Sequence, residues 1–279
     1  MSEDLKASIQ FFKGVGPKRA RALEHLGVKA VEDLLFYFPR AWQDRRETAD
    51  LSLPVPGGVV IIKAKVVKTR KIAAGPRLGL FKAQLSTGES KVDAVWFKHL
   101  NYRYDAFSQI KKDVVAGANL WVVGHCDPSL LGVKEIQAEE YYPLEDERWK
   151  VHVDRIVPVY ALTDGITARF LRELSHQALA LGAQGVREIL PLWILEKRQW
   201  LALSQAVHAI HFPGSHEELD AARSRLAYDE FLLLELAWIL KRRQTRGLSK
   251  GFGYEIKRSL LAPFKEQLGF ALTTAQKRV

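Results

Sequence analysis

One stretch of this chain has no acid. Between Leu51 and Gly88 there are seven Lys or Arg residues and neither Asp nor Glu. Cysteine is nearly absent too. Cys126 stands alone, which excludes an internal disulfide framework and suits a reducing cytosol. Long apolar runs are also missing: the most apolar stretch, Phe231–Leu240, is interrupted by Glu235 and is too short to span a bilayer. The opening residues MSEDLKASIQFFKG have no basic segment leading into an apolar one, so no signal peptide is expected and a soluble intracellular protein is. No G-x-x-x-x-G-K-[ST] phosphate loop, H-E-x-x-H or Cys-x-x-Cys occurs, and nothing reads as a nucleophile elbow. Nucleotide hydrolysis by these residues unaided is therefore not expected. His208 and His211 lie three apart with no further His or Cys nearby, and they read as packed or capping residues rather than metal ligands. His125-Cys126-Asp127, just before Pro128, reads as a turn.

What is present is positive charge and enough apolar residues for two cores. The 279 residues carry a net charge of +10, with a pI near 9.6. That excess favours a polyanionic partner over an acidic small molecule. The plain alternative is a basic surface that only keeps the protein soluble.

Residues 1–50 read as helical. Leu5, Ile9 and Phe12 suggest a short amphipathic helix, followed by the turn Gly14-Val15-Gly16-Pro17. Pro17 suits a first helical position, Lys18–Leu26 continues the helix, and Gly27 closes it. A third helix over 30–38 stops at Pro39. This is the layout of a helix-hairpin-helix, in which backbone N–H groups at the second helix's start can meet a phosphate. Lys13, Lys18, Arg19 and Arg21 place charge nearby. A glycine-rich connection that only packs against its neighbours is the alternative.

Pro and Gly punctuate residues 51–58, a plausible boundary, after which strands dominate. Strands are expected over 59–71, 81–86, 90–98, 119–125 and 133–142, with a helix over 101–116 between the third and fourth. Three strands, a helix and two strands is the order of an OB-fold, a five-stranded Greek-key barrel that often binds oligonucleotides. Five basic residues (Lys63, Lys65, Lys68, Arg70 and Lys71) lie along its first strand and turn. They suit a surface that tracks a nucleic-acid backbone, or else a solvated edge that discourages strand pairing. In the third strand Val92, Ala94 and Trp96 alternate inward, which leaves Phe97 on a face with Lys91, Asp93 and Val95. Tyr102 and Tyr104 follow at once. Aromatics at the rim of a basic β-module suit base stacking.

Beyond Asp146 the pattern turns helical. An extended segment over 155–160 precedes helices expected over 167–181, 189–196, 198–210 and 215–243. The last opens on the capping box Ser215-His216-Glu217-Glu218 and reads as a connecting strut, with Asp229 at a position where an apolar residue is expected. The expected fold class is α+β: a helical helix-hairpin-helix-like segment (1–50), an OB-fold barrel (51–145), an all-helical linker with a long helix (146–262) and the start of a further domain (263–279).

Several stretches together resemble the RecG branch-migrating DNA helicases. Gly14-Val15-Gly16-Pro17-Lys18, with residues 33–40 (DLLFYFPR) and Asp44-Arg45, is similar to that family's N-terminal signature. Residues 156–160 (IVPVY) with Gly165-Ile166 resemble the segment after its wedge domain. Residues 210–213 (IHFP) and 222–231 (ARSRLAYDEF) resemble its linker, and 269–276 (GFALTTAQ) the element before its ATP-binding loop. The resemblance spans nearly the whole chain and implies an N-terminal part of a longer, ATP-dependent helicase that uses ATP and Mg²⁺. It further implies that the barrel is a wedge that meets forks and Holliday junctions in DNA repair and recombination. Phe97 matches the family's first stacking aromatic. The second usually lies four residues on, where this chain has Asn101, so Tyr102 or Tyr104 substitutes. Lys63, Lys65, Lys68, Arg70 and Lys71, with Lys18 and Arg19, are the candidate backbone contacts, and Phe270 and Gln276 match the adenine-contacting element. No catalytic or metal site is expected in these residues. A single-stranded-DNA-binding protein is a candidate partner, and a cytoplasmic monomer is expected. Two other classes remain open: an OB-type single-strand or RNA-binding protein without a motor, and a helical protein-interaction scaffold.

Overall fold

The computed structural model describes residues 3–49, 58–73, 78–88, 90–100, 105–126, 135–182, 185–247 and 258–278. Tyr102 and Tyr104, and Asn101 beside them, lie outside the described residues. The chain divides into two compact units, residues 1–228 and 229–279.

The first unit begins with short helices. These are α1 (Glu3–Lys6), α2 (Pro17–His25) and α3 (Val31–Phe36). The expected helix through Phe12 is shorter, because the chain tightens into a single 3-10 turn at Ile9–Phe11, capped by the Ser8 side chain. Pro17 does open α2, and Gly27 follows it at φ +84°, a left-handed angle that favours glycine. Strand β1 (Ala41–Asp44) was not expected from the sequence. It pairs antiparallel with β7 (Ile156–Val159), Ala41 facing Val159 and Asp44 facing Ile156. The stretch expected to be all-helical thus opens on a strand before its helices, and the chain entering the barrel is tied to the chain leaving it.

Five strands close into a barrel among the described residues. They are β2 (Val59–Ala73), β3 (Leu78–Ser86), β4 (Lys91–His99), β5 (Asn119–Cys126) and β6 (Glu135–Pro143), in the order β2-β3-β4-β6-β5. The β4–β6 pair is parallel and the others antiparallel. Helix α4 (Ser108–Asp113) lies between the third and fourth strands, as expected for an OB-fold, but it is one short segment of the helix anticipated over 101–116. Alternation places Val92, Ala94 and Trp96 inside with Ile62, Val66, Phe81, Leu85, Leu120, Val122 and Ile136, and Phe107, Ile110 and Val114 of the α4 region join that core. Gly79 makes room for the helix. A Cβ there would come within 2.6 Å of both Phe107 and Leu100.

After β7 come α5 (Ala168–Gly182), α6 (Leu192–Arg198), α7 (Leu203–His211) and α8 (His216–Gly247). Leu171, Leu174 and Ala178 of α5 and Ala206, Val207 and Ile210 of α7 share one core with Leu5, Ile9, Leu23, Leu34 and Leu35 from the N-terminal helices. His211 is a packed residue: its Nε2–H donates to the Leu35 carbonyl at 3.0 Å, and its Nδ1 accepts from the Tyr160 hydroxyl at 2.8 Å. Half of the capping box at α8 forms as expected, with the Ser215 hydroxyl accepting from Glu218 N–H at 3.1 Å, while the Glu218 carboxylate accepts from Gly214 N–H at 2.6 Å, one residue before the cap.

The second unit contains the residues of α8 from Asp229 onward, α9 (Arg258–Gln267) with Pro263 inside it, and α10 (Thr274–Arg278). Asp229 is buried, whereas Phe231, Trp238, Leu240 and Phe264 are exposed. No helix among the described residues is long and apolar enough to cross a membrane.

Candidate nucleic-acid interface

The register of β2, β3 and β4 builds the candidate face row by row. Residues directly opposite in an antiparallel pair point to the same side of the sheet. Ile72 faces Leu80, which faces Phe97; Arg70 faces Lys82, which faces Val95; Lys68 faces Gln84, which faces Asp93. Because Phe81, Ala83, Leu85 and Val92 are in the barrel core, these three rows lie on its outer face. Phe97 is 44% exposed there, beside half-buried Leu80 and Ile72. A groove of about 360 Å³ runs along the lower rows between Lys68, Arg70, Lys82, Gln84 and Asp93.

A bulge decides which cations share this face. Period-two alternation alone would place Lys63 and Lys65 opposite to Lys68 and Arg70. Val67 has no partner in the β3 register, which runs from Val66–Leu85 directly to Lys68–Gln84. That extra residue reverses the alternation, so Lys63, Lys65, Lys68 and Arg70 all point outward. None of these four has a carboxylate at ion-pair distance among the described residues. The same bulge turns Lys71 to the core side, opposite Phe81. Its ammonium approaches Asp105 at 3.8 Å and lies 6.0 Å from the Phe107 ring. Lys82, on the outer face, is neutralised by Glu135 at 2.6 Å and Asp93 at 3.0 Å, and the Glu135 bond in particular raises its pKa. The free cationic charge on this face is therefore concentrated along β2, with β3 between it and β4, the strand that carries Phe97.

One other side of the barrel's outer face is covered. Ile61, Trp121, Val123 and Tyr142 pack under Val153, with Trp149 and Leu144 beside them, and Lys63 sits 6.0 Å from the Trp121 ring. A buried ionic cluster fastens this side of the barrel to the helical body. Glu140 on β6 accepts from Arg45 at 2.7 Å, from the Tyr142 hydroxyl at 2.7 Å and from Arg172 of α5 at 2.5 Å. Burial alone would raise the Glu140 carboxyl; Arg172 and Arg45 outweigh it and hold the pKa down at about 2. Tyr142 stacks on His152 with ring centroids 4.5 Å apart, and burial lowers that imidazole to about 4. The sequence reading missed this cluster, and it also missed Ile72 and Leu80 as neighbours of Phe97. Only strand pairing reveals either.

The remaining candidates lie apart from the barrel face. Lys18 and Arg19 are in the first turn of α2. Lys18 is exposed, whereas Arg19 donates to the Gly14 carbonyl at 2.9 Å and lies 4.3 Å from the Phe170 ring. Phe270 and Gln276 belong to the second unit. Phe270 is 62% exposed, and the Gln276 side-chain oxygen accepts from Thr273 N–H at 2.9 Å in a reciprocal cap of α10. A ring face and a carboxamide whose NH₂ remains a donor fit the face and edge of an adenine.

Strand order and the placement of α4 define the class: an OB-fold module inserted between the two halves of a helical body. Residues 8–182 match the family described as RecG wedge domain. The chain belongs to that family. It is 35% identical to an ATP-dependent DNA helicase RecG of Thermotoga maritima, over 99% of this chain and 34% of that protein. It is 29% identical to the protein of the same name from Bacillus subtilis, over 100% of this chain and 39% of the relative. A solved structure of RecG bound to a three-way DNA junction superposes over 100% of this chain and 37% of its own, with a TM-score of 0.72 and 34% identity. The chain thus spans a little over a third of the length of these relatives.

Proposed function

We propose that this chain is the DNA-binding and strand-separating N-terminal region of an ATP-dependent helicase that remodels branched DNA. The observation that carries this reading is the outer-face arrangement: an exposed Phe97 on β4 ends an apolar row that crosses β3 to β2, whose outward Lys65, Lys68 and Arg70 have no acidic partner among the described residues. Membership of the RecG wedge family, and the RecG structure on a three-way junction, support the same reading. Phe97 stacks on a base splayed at the branch point, an interaction of about 1–3 kcal/mol per base. That is enough to offset one DNA stacking step of about 1.4 kcal/mol. Lys63, Lys65, Lys68 and Arg70 bind phosphates and position the duplex without reading its sequence. Tyr102 or Tyr104 supplies a second ring.

ATP with Mg²⁺ supplies the driving reaction in the whole protein. Here Phe270 and Gln276 would hold the adenine by stacking and by hydrogen bonding. The reading places the protein in the cytoplasm. Binding of Phe97→Ala to forked and to plain duplex DNA tests it. The variant should lose at least tenfold on forks and little on duplex. Equal loss on both, or a preference for single strands over forks in the parent, would refute a wedge and favour a motor-independent OB-type binder.

A further inference from the structure

A second basic concavity lies away from the barrel face. It has a volume of about 370 Å³ and is bounded by the Gly14 turn on one side and α5 on the other. Three cations from two distant parts of the sequence reach it: Lys13 and Arg19 around the N-terminal turn, and Arg169 of α5. Two of them are held in place. The Arg19 guanidinium lies over Phe170 at 4.3 Å and donates to the Gly14 carbonyl at 2.9 Å, so its remaining N–H groups have a set direction. Arg169 is held by Glu173 at 3.1 Å and lies 4.8 Å from the Tyr142 ring. Lys13 is exposed, with no ion pair among the described residues. Gly14 itself sits at φ +88°, an angle a side-chain-bearing residue rarely adopts, so this turn geometry depends on glycine.

Glu173 also lines the concavity, but its carboxylate is already committed. It bonds His152 at 3.2 Å as well as Arg169, and the His152 and Arg169 bonds outweigh burial to hold its pKa at about 2. Three cations against one engaged carboxylate leave a net positive site lined also by the Thr167 hydroxyl and the Gln177 amide. Pre-oriented guanidinium groups, a mobile ammonium and neutral donors are the chemistry that binds a phosphate monoanion. The site rests against the barrel through the contact of Arg169 with Tyr142 of β6.

We propose that this concavity binds a backbone phosphodiester of a DNA arm, as an anchor separate from the Phe97 face. The proposal builds on the branched-DNA reading, but its experiment reads a different quantity. Lys13→Gln and Lys13→Gln/Arg19→Gln are made in the 279-residue chain, with their thermal melts compared to the parent. Affinity for duplex and forked DNA is then measured across a salt series. Loss of one phosphate contact should lower the slope of log K against log salt by about 0.9. Affinity should fall severalfold on fork and duplex alike, with the branch preference unchanged. Lys13→Gln alone keeps the test sound if the double variant melts early, because the Lys13 side chain makes no hydrogen bond or ion pair among the described residues.

An unchanged slope in a folded Lys13→Gln protein would overturn the proposal. So would saturable binding of inorganic phosphate that depends on Lys13 while the DNA slope stays constant, since that outcome assigns the pocket to a free anion. If instead Phe97→Ala shows no branch-specific loss while the Lys13 slope falls, the wedge reading fails and the anchor stands.

Discussion

Replacing Glu140 by glutamine probes the joint between the barrel and the helical body. The carboxylate takes three hydrogen bonds, two of them from the guanidinium groups of Arg45 and Arg172, whose side chains are 7% and 2% exposed. Glutamine keeps one acceptor oxygen and turns an NH₂ donor toward a second donor, leaving two buried cations with no counter-charge at this position. Breaking a buried pair from one side typically costs about 3–5 kcal/mol. Glu140 keeps 19% side-chain exposure, so partial screening favours the lower figure, about 3 kcal/mol. The pKa direction agrees: although burial alone would raise the carboxyl, Arg172 and Arg45 outweigh it and favour the charged form. Urea unfolding followed by circular dichroism and by tryptophan fluorescence measures the loss. Trp121 and Trp149 lie in the cluster beside Tyr142 and report the joint directly. A double-mutant cycle with Arg172→Met should recover a large part of the loss, because it removes one stranded cation. A stability change under about 0.5 kcal/mol for Glu140→Gln, the scale of an ordinary surface substitution, would refute the claim that this ion cluster holds the joint.

Neutralising Lys65, Lys68 and Arg70 together should reduce the salt slope of DNA binding by about 2–3, and an unchanged slope would remove them from the contact surface. Lys71→Gln should change it little, because that ammonium points to Asp105. Gly79→Ala should destabilise the barrel by about 1–3 kcal/mol in chemical denaturation, because its methyl group collides with Phe107 and Leu100. Stability should also fall in acid. His152 and His211 are both lowered from 6.5 to about 4 by burial, and Glu140 from 4.5 to about 2, so the native state disfavours protonation of all three. Their contributions are complete above about pH 6.5 and are lost on descent, the histidines first between 6.5 and 4 and Glu140 below 4.5. Melting temperatures that are flat from pH 7 to 4 would contradict this assignment.

The residues themselves determined a good deal of this protein. The alternation of Val92, Ala94 and Trp96 already set Phe97 on the outer side of a strand, because period-two patterning is local. The acid-free stretch before Gly88 marked the basic strand, and strand-strand-strand-helix-strand-strand order marked the OB barrel. Pro17 and Ser215 marked helix starts through local capping geometry. Everything that depends on pairing partners needed the tertiary structure. The short strand β1 has no signal of its own, since its four residues become a strand only against β7. A bulge exists only relative to a neighbouring strand, so Val67 could not announce that it would bring Lys63 and Lys65 to the side of Lys68 and Arg70 and send Lys71 away. Ile72 and Leu80 joined Phe97 through register, and Arg169 met Arg19 across 150 residues through packing of α5 on the N-terminal turn. Local sequence specifies which face a side chain takes within its own strand; which charges share that face is decided by contacts between segments far apart in the chain.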